Sequence, residues 1–193
     1  PSTDYLPNGT YHGTINGDTY VLDWSAIWLP ESTEPLQESY VNLIPTMYGG
    51  THVNAFRTGL IDSMREFCDR RNLLPRNIKL SPEDIWKNVS FILSFKMSNP
   101  QFSGQTKGKL QSNHLLASLT SQLKDKFALW LNKHSDAGEK LAELAIKNAQ
   151  VRILSSNSDS KKINARSVLL PSRLSDCTLK DIKVTELFLV EGD

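Results

Sequence analysis

Glu38 to Leu60 reads ESYVNLIPTMYGGTHVNAFRTGL, and the change of period inside it decides the fold class. The first part, Glu38 to Thr46, is predicted as one long strand, with Pro45 near its end, where a lost donor is tolerable. Gly49-Gly50 breaks the pattern. Beyond it Val53, Phe56, Leu60, Met64 and Phe67 recur every three or four residues, so 52–70 is predicted as an amphipathic helix.

Upstream, Tyr20, Leu22, Trp24, Ala26 and Trp28 alternate with polar residues, which is the pattern of a strand with one face on a core. Gly9, Gly13 and Asn16-Gly17-Asp18 supply turns. Downstream, Ser81-Pro82-Glu83-Asp84 reads as a helix start, with a hydroxyl cap, proline in the first turn and acids at the positive end of the dipole. Val89, Phe91, Leu93, Phe95 and Met97 form another alternating strand. Residues 98–109 read as a polar loop. Leu116, Leu119, Leu123, Phe127 and Trp130 mark a helix face, and Asp136 with Glu139 a capping-box variant opening a second helix over 137–154. Residues 155–165, SSNSDSKKINA, have the composition of a linker or mobile loop. Strands, a helix, a strand and then long helices give an α+β fold, a β-α-β arrangement with helices on one face of a mixed sheet.

The chain closes on Thr185 to Asp193, TELFLVEGD, where an apolar strand over 184–190 delivers Glu191 and Asp193. A terminal strand without neighbours leaves ladder groups unsatisfied, so this end is expected to open a second domain. The alternative is a last strand of the same domain with two solvated acids.

Bulk properties exclude several classes. A formal net charge of +1 over 193 residues argues against a polycationic nucleic-acid coat, though not against a local basic patch. The two cysteines, Cys68 and Cys177, form no CxxC, which gives no support to a zinc knuckle or thioredoxin-type site. No apolar run approaches the ~20 residues that span a bilayer, so no membrane role is expected. His12, His52, His114 and His134 show no HxxxH or HExxH spacing, and neither GxSxG nor GxGxxG is present. No complete catalytic constellation can be read.

Four places could carry chemistry. In QFSGQTKGK, Gln101 to Lys109, Lys107 stands between glycines and can bring an ammonium close to a phosphate. The P-loop spacing is absent, and a solvated loop is the plainer alternative. Gly49-Gly50-Thr51-His52 enters a helix that carries Arg57, so an anion site at the helix start competes with a simple turn and a Thr51 cap. Arg65, Arg70, Arg71, Arg76, Lys79, Lys161, Lys162, Arg166 and Arg173 could meet a DNA backbone, but Glu66, Asp69, Glu83 and Asp84 lie among them and a mixed solvated face explains them as well. Glu191 and Asp193 could share a hard cation such as Mg2+, with further ligands needed from elsewhere.

The string Glu38 to Leu60 closely resembles the B subunits of bacterial type IIA DNA topoisomerases. So do RNLLPRNIKLSPEDIW (Arg71 to Trp86), SFKMSNPQFSGQTK (Ser94 to Lys107), PSRLSDC (Pro171 to Cys177) and TELFLVEGD. They occur in family order and cover most of the chain. RNLLP, KLSPEDIW and the helix SLTSQLKDKFALWLN are more similar to the topoisomerase IV branch than to the gyrase branch.

The resemblance implies a transducer domain of a GHKL-type ATPase over 1–155, on a β-α-β sheet with a left-handed crossover. A linker over 156–184 and the first strand of a TOPRIM domain over 185–193 would follow. It implies that Gln105 and Lys107 reach the γ-phosphate of ATP bound in an upstream domain, that Arg57 faces a DNA cavity, and that Glu191 helps hold Mg2+. The implied partners are DNA, an A subunit carrying the cleavage tyrosine and a second copy of the B subunit, all in the cytoplasm. Two departures stand out. The family pattern continues past Asp193 with Ser-Ala, and LSSNSDSKKINAR over 154–166 is less basic than the family stretch. The competing readings are the gyrase counterpart, a non-catalytic DNA-binding scaffold, and the transducer of another GHKL ATPase, against which LFLVEGD argues.

Overall fold

The structure is a computed structural model that describes residues 5–30 and 34–165. The predicted strand over 184–190, and with it Glu191 and Asp193, lies outside the described residues, as do Arg166 and Arg173. Two compact units divide the chain, Pro1–Ile153 and Leu154–Asp193. The sheet and its core belong to the first, and the described part of the second is helical to Ala165.

Five strands form a mixed sheet in the order β1 (Leu6–Asn16), β2 (Tyr20–Trp28), β5 (Val89–Met97), β3 (Gln37–Val41) and β4 (Ile44–Pro45). β2 pairs antiparallel with β1 and with β5, while β3 runs parallel to β5. A parallel neighbour requires a crossover, which α1 (Thr51–Arg70) and the short α2 (Pro82–Trp86) supply. The period-two reading holds: Leu22, Trp24, Ala26 and Trp28 are buried, opposite Phe95, Leu93, Phe91 and Val89 in register.

That face is covered by α1 and by α3 (Leu116–Lys133). Phe56 of α1 meets Trp24 and Phe91 at ring-centroid distances of 6.4 and 5.6 Å. Phe127 of α3 lies 4.9 Å from Tyr11 and stacks on Trp28 at 5.8 Å. Such aromatic pairs add about 1 kcal/mol each beyond their buried area. The two helices approach closely at Gly59, where a β-carbon would stand 3.0 Å from both Leu123 Cβ and the Lys124 amide nitrogen. One turn on, Ser63 Oγ donates to the Lys124 carbonyl at 2.6 Å.

α2 begins as its sequence predicts, with Ser81 and Asp84 in a reciprocal capping box. Asp84 does more than cap. It is buried, and Arg152 of α4 (Ser135–Ala165) donates from Nε and Nη2 to its two carboxylate oxygens at 2.9 and 2.8 Å. Asn148 donates to the Asp84 carbonyl and to Asn88 Oδ1, which ties α4 to the start of β5. Burial raises the pKa of Asp84, but Arg152 and the Ser81 amide and hydroxyl outweigh it and hold the carboxyl below its ordinary value.

Four expectations are corrected. Glu38 to Thr46 is a hairpin rather than one strand: β3 turns into β4 through Asn42 and Leu43, both at positive φ (48° and 67°). The turn is secured from far along the chain, because the Asn42 side chain donates to the Met97 carbonyl and accepts from the Met97 amide, both at 2.9 Å. Residues 98–109 are not a plain loop but carry a small hairpin, β6 (Phe102–Ser103) with β7 (Lys109–Leu110). α4 runs through 155–165, where composition reads as linker, since extending a nucleated helix costs far less than starting one. It starts at Ser135, ahead of the expected capping box, and Glu139 pairs with Arg71 at 2.7 Å instead.

Candidate functional site

Two of the four sequence candidates come together. The β6–β7 hairpin stands on the start of α1. Its return strand forms a bridge with Gly50, the Leu110 amide donates to the Gly49 carbonyl at 3.1 Å, and the Tyr48 amide donates to the Gly108 carbonyl at 2.9 Å. The Thr51 hydroxyl lies 3.3 Å from both the Leu110 carbonyl and Asn113 Oδ1. The N-terminus of α1 is therefore not an open anion site. Thr51 and His52 are buried, Gly50 is the cap residue, and no side chain caps the helix.

Only glycine can occupy the crossing point. Gly50 sits at φ 129°, and a β-carbon there would fall 2.3 Å from the Leu110 carbonyl oxygen and 2.5 Å from its nitrogen. At the other end of the hairpin, Gln105, Thr106 and Lys107 are exposed, with Gly104 and Lys107 at φ 74° and 54°. Neither Gln105 nor Lys107 has a side-chain hydrogen bond or ion pair among the described residues, so an exposed ammonium and an exposed amide share a tip whose base is stitched to a helix. A phosphate fits this donor set, but the tip itself forms no enclosure, so the rest of any pocket must come from another part of the protein.

Beneath the stitch lies a buried polar chain that sequence reasoning did not find. Ser39 and Thr46 exchange hydrogen bonds across the β3–β4 hairpin, and Thr46 Oγ1 is 3.2 Å from His52 Nε2. The His52 ring stacks on Phe95 at 5.9 Å, and its Nδ1 is buried without a partner among the described residues. Burial pulls the imidazole down to about 4 from 6.5, so it is neutral in the fold. A histidine with a depressed folded pKa contributes stability that is complete above pH 6.5 and is lost as pH falls towards 4, by about 3 kcal/mol. Denaturant midpoints of the chain should drop across this window, and His52→Gln should flatten the drop. Equal pH profiles for the two would refute the assignment.

The basic residues have mostly internal work. Arg57 pairs with Glu83 of α2, and its guanidinium lies 5.7 Å from the Trp86 ring centroid. It is half-buried, and its Nη2 is engaged by Glu83. Arg65 donates to the Leu80 carbonyl, Arg70 pairs with Glu66, and Arg71 pairs with Glu139 over the Phe67 ring. Arg76 and Lys79 are exposed, and Lys161 and Lys162 fall on α4. No cluster of three metal-ligating side chains occurs among the described residues. No helix among them is long and apolar enough to cross a membrane.

Comparison with known proteins bears on this arrangement. A family model described as DNA gyrase B matches residues 6–161. The B subunit of DNA topoisomerase 4 from Salmonella typhimurium is 53% identical over 188 residues, which is 97% of this chain and 30% of that protein. The Escherichia coli protein of the same name gives the same identity and coverage. The chain thus spans under a third of the length of these relatives. Among solved structures, the topoisomerase IV ATP-binding domain of Francisella tularensis, bound to a small-molecule inhibitor, superposes with a TM-score of 0.69 at 35% identity, covering 77% of this chain and 41% of that one. The 43K ATPase domain of Thermus thermophilus gyrase B, at 19% identity and TM-score 0.75, covers 83% of this chain and 43% of that one and shares the fold. Since the matching model spans well over half of its residues, the chain belongs to the DNA gyrase B family.

Proposed function

We propose that these residues are the transducer region of an ATP-dependent type IIA DNA topoisomerase of the topoisomerase IV kind. In this reading 1–155 form the transducer, with a left-handed β3–α1–β5 crossover, 156–184 link it onward, and 185–193 open a TOPRIM domain. Gln105 and Lys107 contact the γ-phosphate of ATP held in an upstream GHKL domain. Arg57 meets DNA, and Glu191 contributes to a Mg2+ site completed by residues beyond this chain. The partners are DNA, an A subunit carrying the cleavage tyrosine and a second copy of the B subunit, in the cytoplasm.

The observation that carries the reading is the stitch between the exposed hairpin and α1. A phosphate present before hydrolysis and lost after it supplies a negative charge at the tip. Lys107 answers that charge, β7 moves with the tip, and α1 moves with β7 because the Leu110 amide is bonded to the Gly49 carbonyl and Leu110 bridges Gly50, the cap residue of α1. Such a switch works only if the tip binds better in one domain arrangement than in the other. The full-length protein combined with its A subunit should therefore unlink catenated DNA circles only when ATP is supplied. Unlinking without ATP would contradict the coupling role. DNA affinity with a clear salt slope but no strand passage would favour the scaffold reading.

A further inference from the structure

We propose that Tyr48 is a positioning residue for Lys107, its ring acting as a stop that holds the hairpin tip in the conformation presenting the lysine; this rests on the reading of Lys107 as a phosphate contact. Tyr48 is 76% exposed, so burial in the core does not account for its place. Its ring lies over Gly108, the residue after Lys107, and a β-carbon on Gly108 would stand 2.8 Å from Tyr48 Cδ2 and 3.2 Å from Cε2. Thr106 Oγ1 would be 3.8 Å from the same β-carbon. The Tyr48 amide fixes the Gly108 carbonyl from below. The backbone on the C-terminal side of Lys107 is thus clamped by one ring and one hydrogen bond.

Lys107 needs this help. It holds φ 54°, a left-handed conformation that is unfavourable for a residue with a β-carbon. Its own side chain has no partner among the described residues, so the restraint must come through its neighbours. Gly104, four residues earlier in chain order than Gly108, has open space around it, so the N-terminal side of the tip offers no matching clamp. Tyr48 also precedes Gly49 and Gly50 directly, so the same short segment that carries the stop carries the stitch to α1.

The test uses the full-length protein with its A subunit and DNA, and measures kcat and KM for ATP, nucleotide binding and thermal stability. Tyr48→Ala should lower kcat about tenfold, with melting temperature and nucleotide affinity unchanged. Tyr48→Phe should restore turnover, because the ring and not the hydroxyl meets Gly108. Gly108→Ala should lower kcat on its own by pushing the ring aside, but should add little in the Tyr48→Ala background, a non-additivity expected of two groups in direct contact. Wild-type kcat for Tyr48→Ala, while Lys107→Ala has lost turnover, would overturn the positioning role and leave the phosphate reading standing. Wild-type turnover for Lys107→Ala itself would overturn both.

Discussion

Gly50→Ala is expected to lower stability by about 3–5 kcal/mol and the melting temperature by about 10 °C, more than any other added methyl group at a glycine of the hairpin or its base. Two costs combine. The backbone at φ 129° lies in a region essentially closed to residues with a β-carbon. The new methyl would also fall 2.3–2.8 Å from the oxygen, nitrogen and α-carbon of Leu110, and those are backbone atoms that cannot rotate away. Relief requires lifting β7 off the helix start, which breaks the Leu110-to-Gly49 hydrogen bond and strips Thr51 of an acceptor. Gly104→Ala provides the control: its φ is also positive at 74°, but nothing lies within 4 Å of the added carbon, so the cost should be about 1 kcal/mol. Thermal and denaturant unfolding of both variants checks the ordering. A Gly50→Ala protein as stable as the Gly104→Ala protein would contradict the stitched geometry. In the full-length protein the same variant should also lose ATP turnover, because its hairpin no longer moves α1.

Period and capping carried much of the fold. Trp24 and Trp28 announce their strand by alternation, and Ser81-Pro82-Glu83-Asp84 announces its helix by cap chemistry, because both signals lie within a few residues. What stayed hidden depends on partners far away in sequence. Leu43 is a poor residue for a left-handed turn, and the hydrogen bonds of Asn42 to Met97, far along the chain, help to hold the turn there. β6 and β7 are two residues each, too short to show a period. Arg152 was not singled out at all, since a lone arginine on a helix gives no hint of a buried Asp84 to meet. The basic set shows the converse: charge alone marked Arg65, Arg70 and Arg71 as possible DNA contacts, and their partners on the same fold account for them.

The site was legible only in part. Pattern alone left Lys107 as a surface lysine, and it was the resemblance of the surrounding segments that gave it a role. The glycines on either side of Thr106 and Lys107 were visible, but not that Gly108 is buried under Tyr48 while Gly104 is open. Nor could spacing show that the QTK tip and the Gly49-Gly50 pair, more than fifty residues apart in the chain, form one structure.

Lys107→Ala is expected to lower ATP turnover by about 100-fold or more, the usual loss when one preorganised donor to a developing negative charge is removed. Lysine and alanine meet the same backbone cost at φ 54°, and the lysine side chain is exposed and partnerless among the described residues, so the melting temperature should not move. Gln105→Ala removes a neutral donor and should cost less. The most direct measurement is ATP turnover by the full-length protein with its A subunit and DNA, wild type against Lys107→Ala, with nucleotide binding and thermal stability recorded on the same preparations. Turnover that collapses while binding and stability persist is the expected result and makes the hairpin the phosphate contact of a transducer. Equal turnover in the two proteins would contradict that role and leave the hairpin as surface.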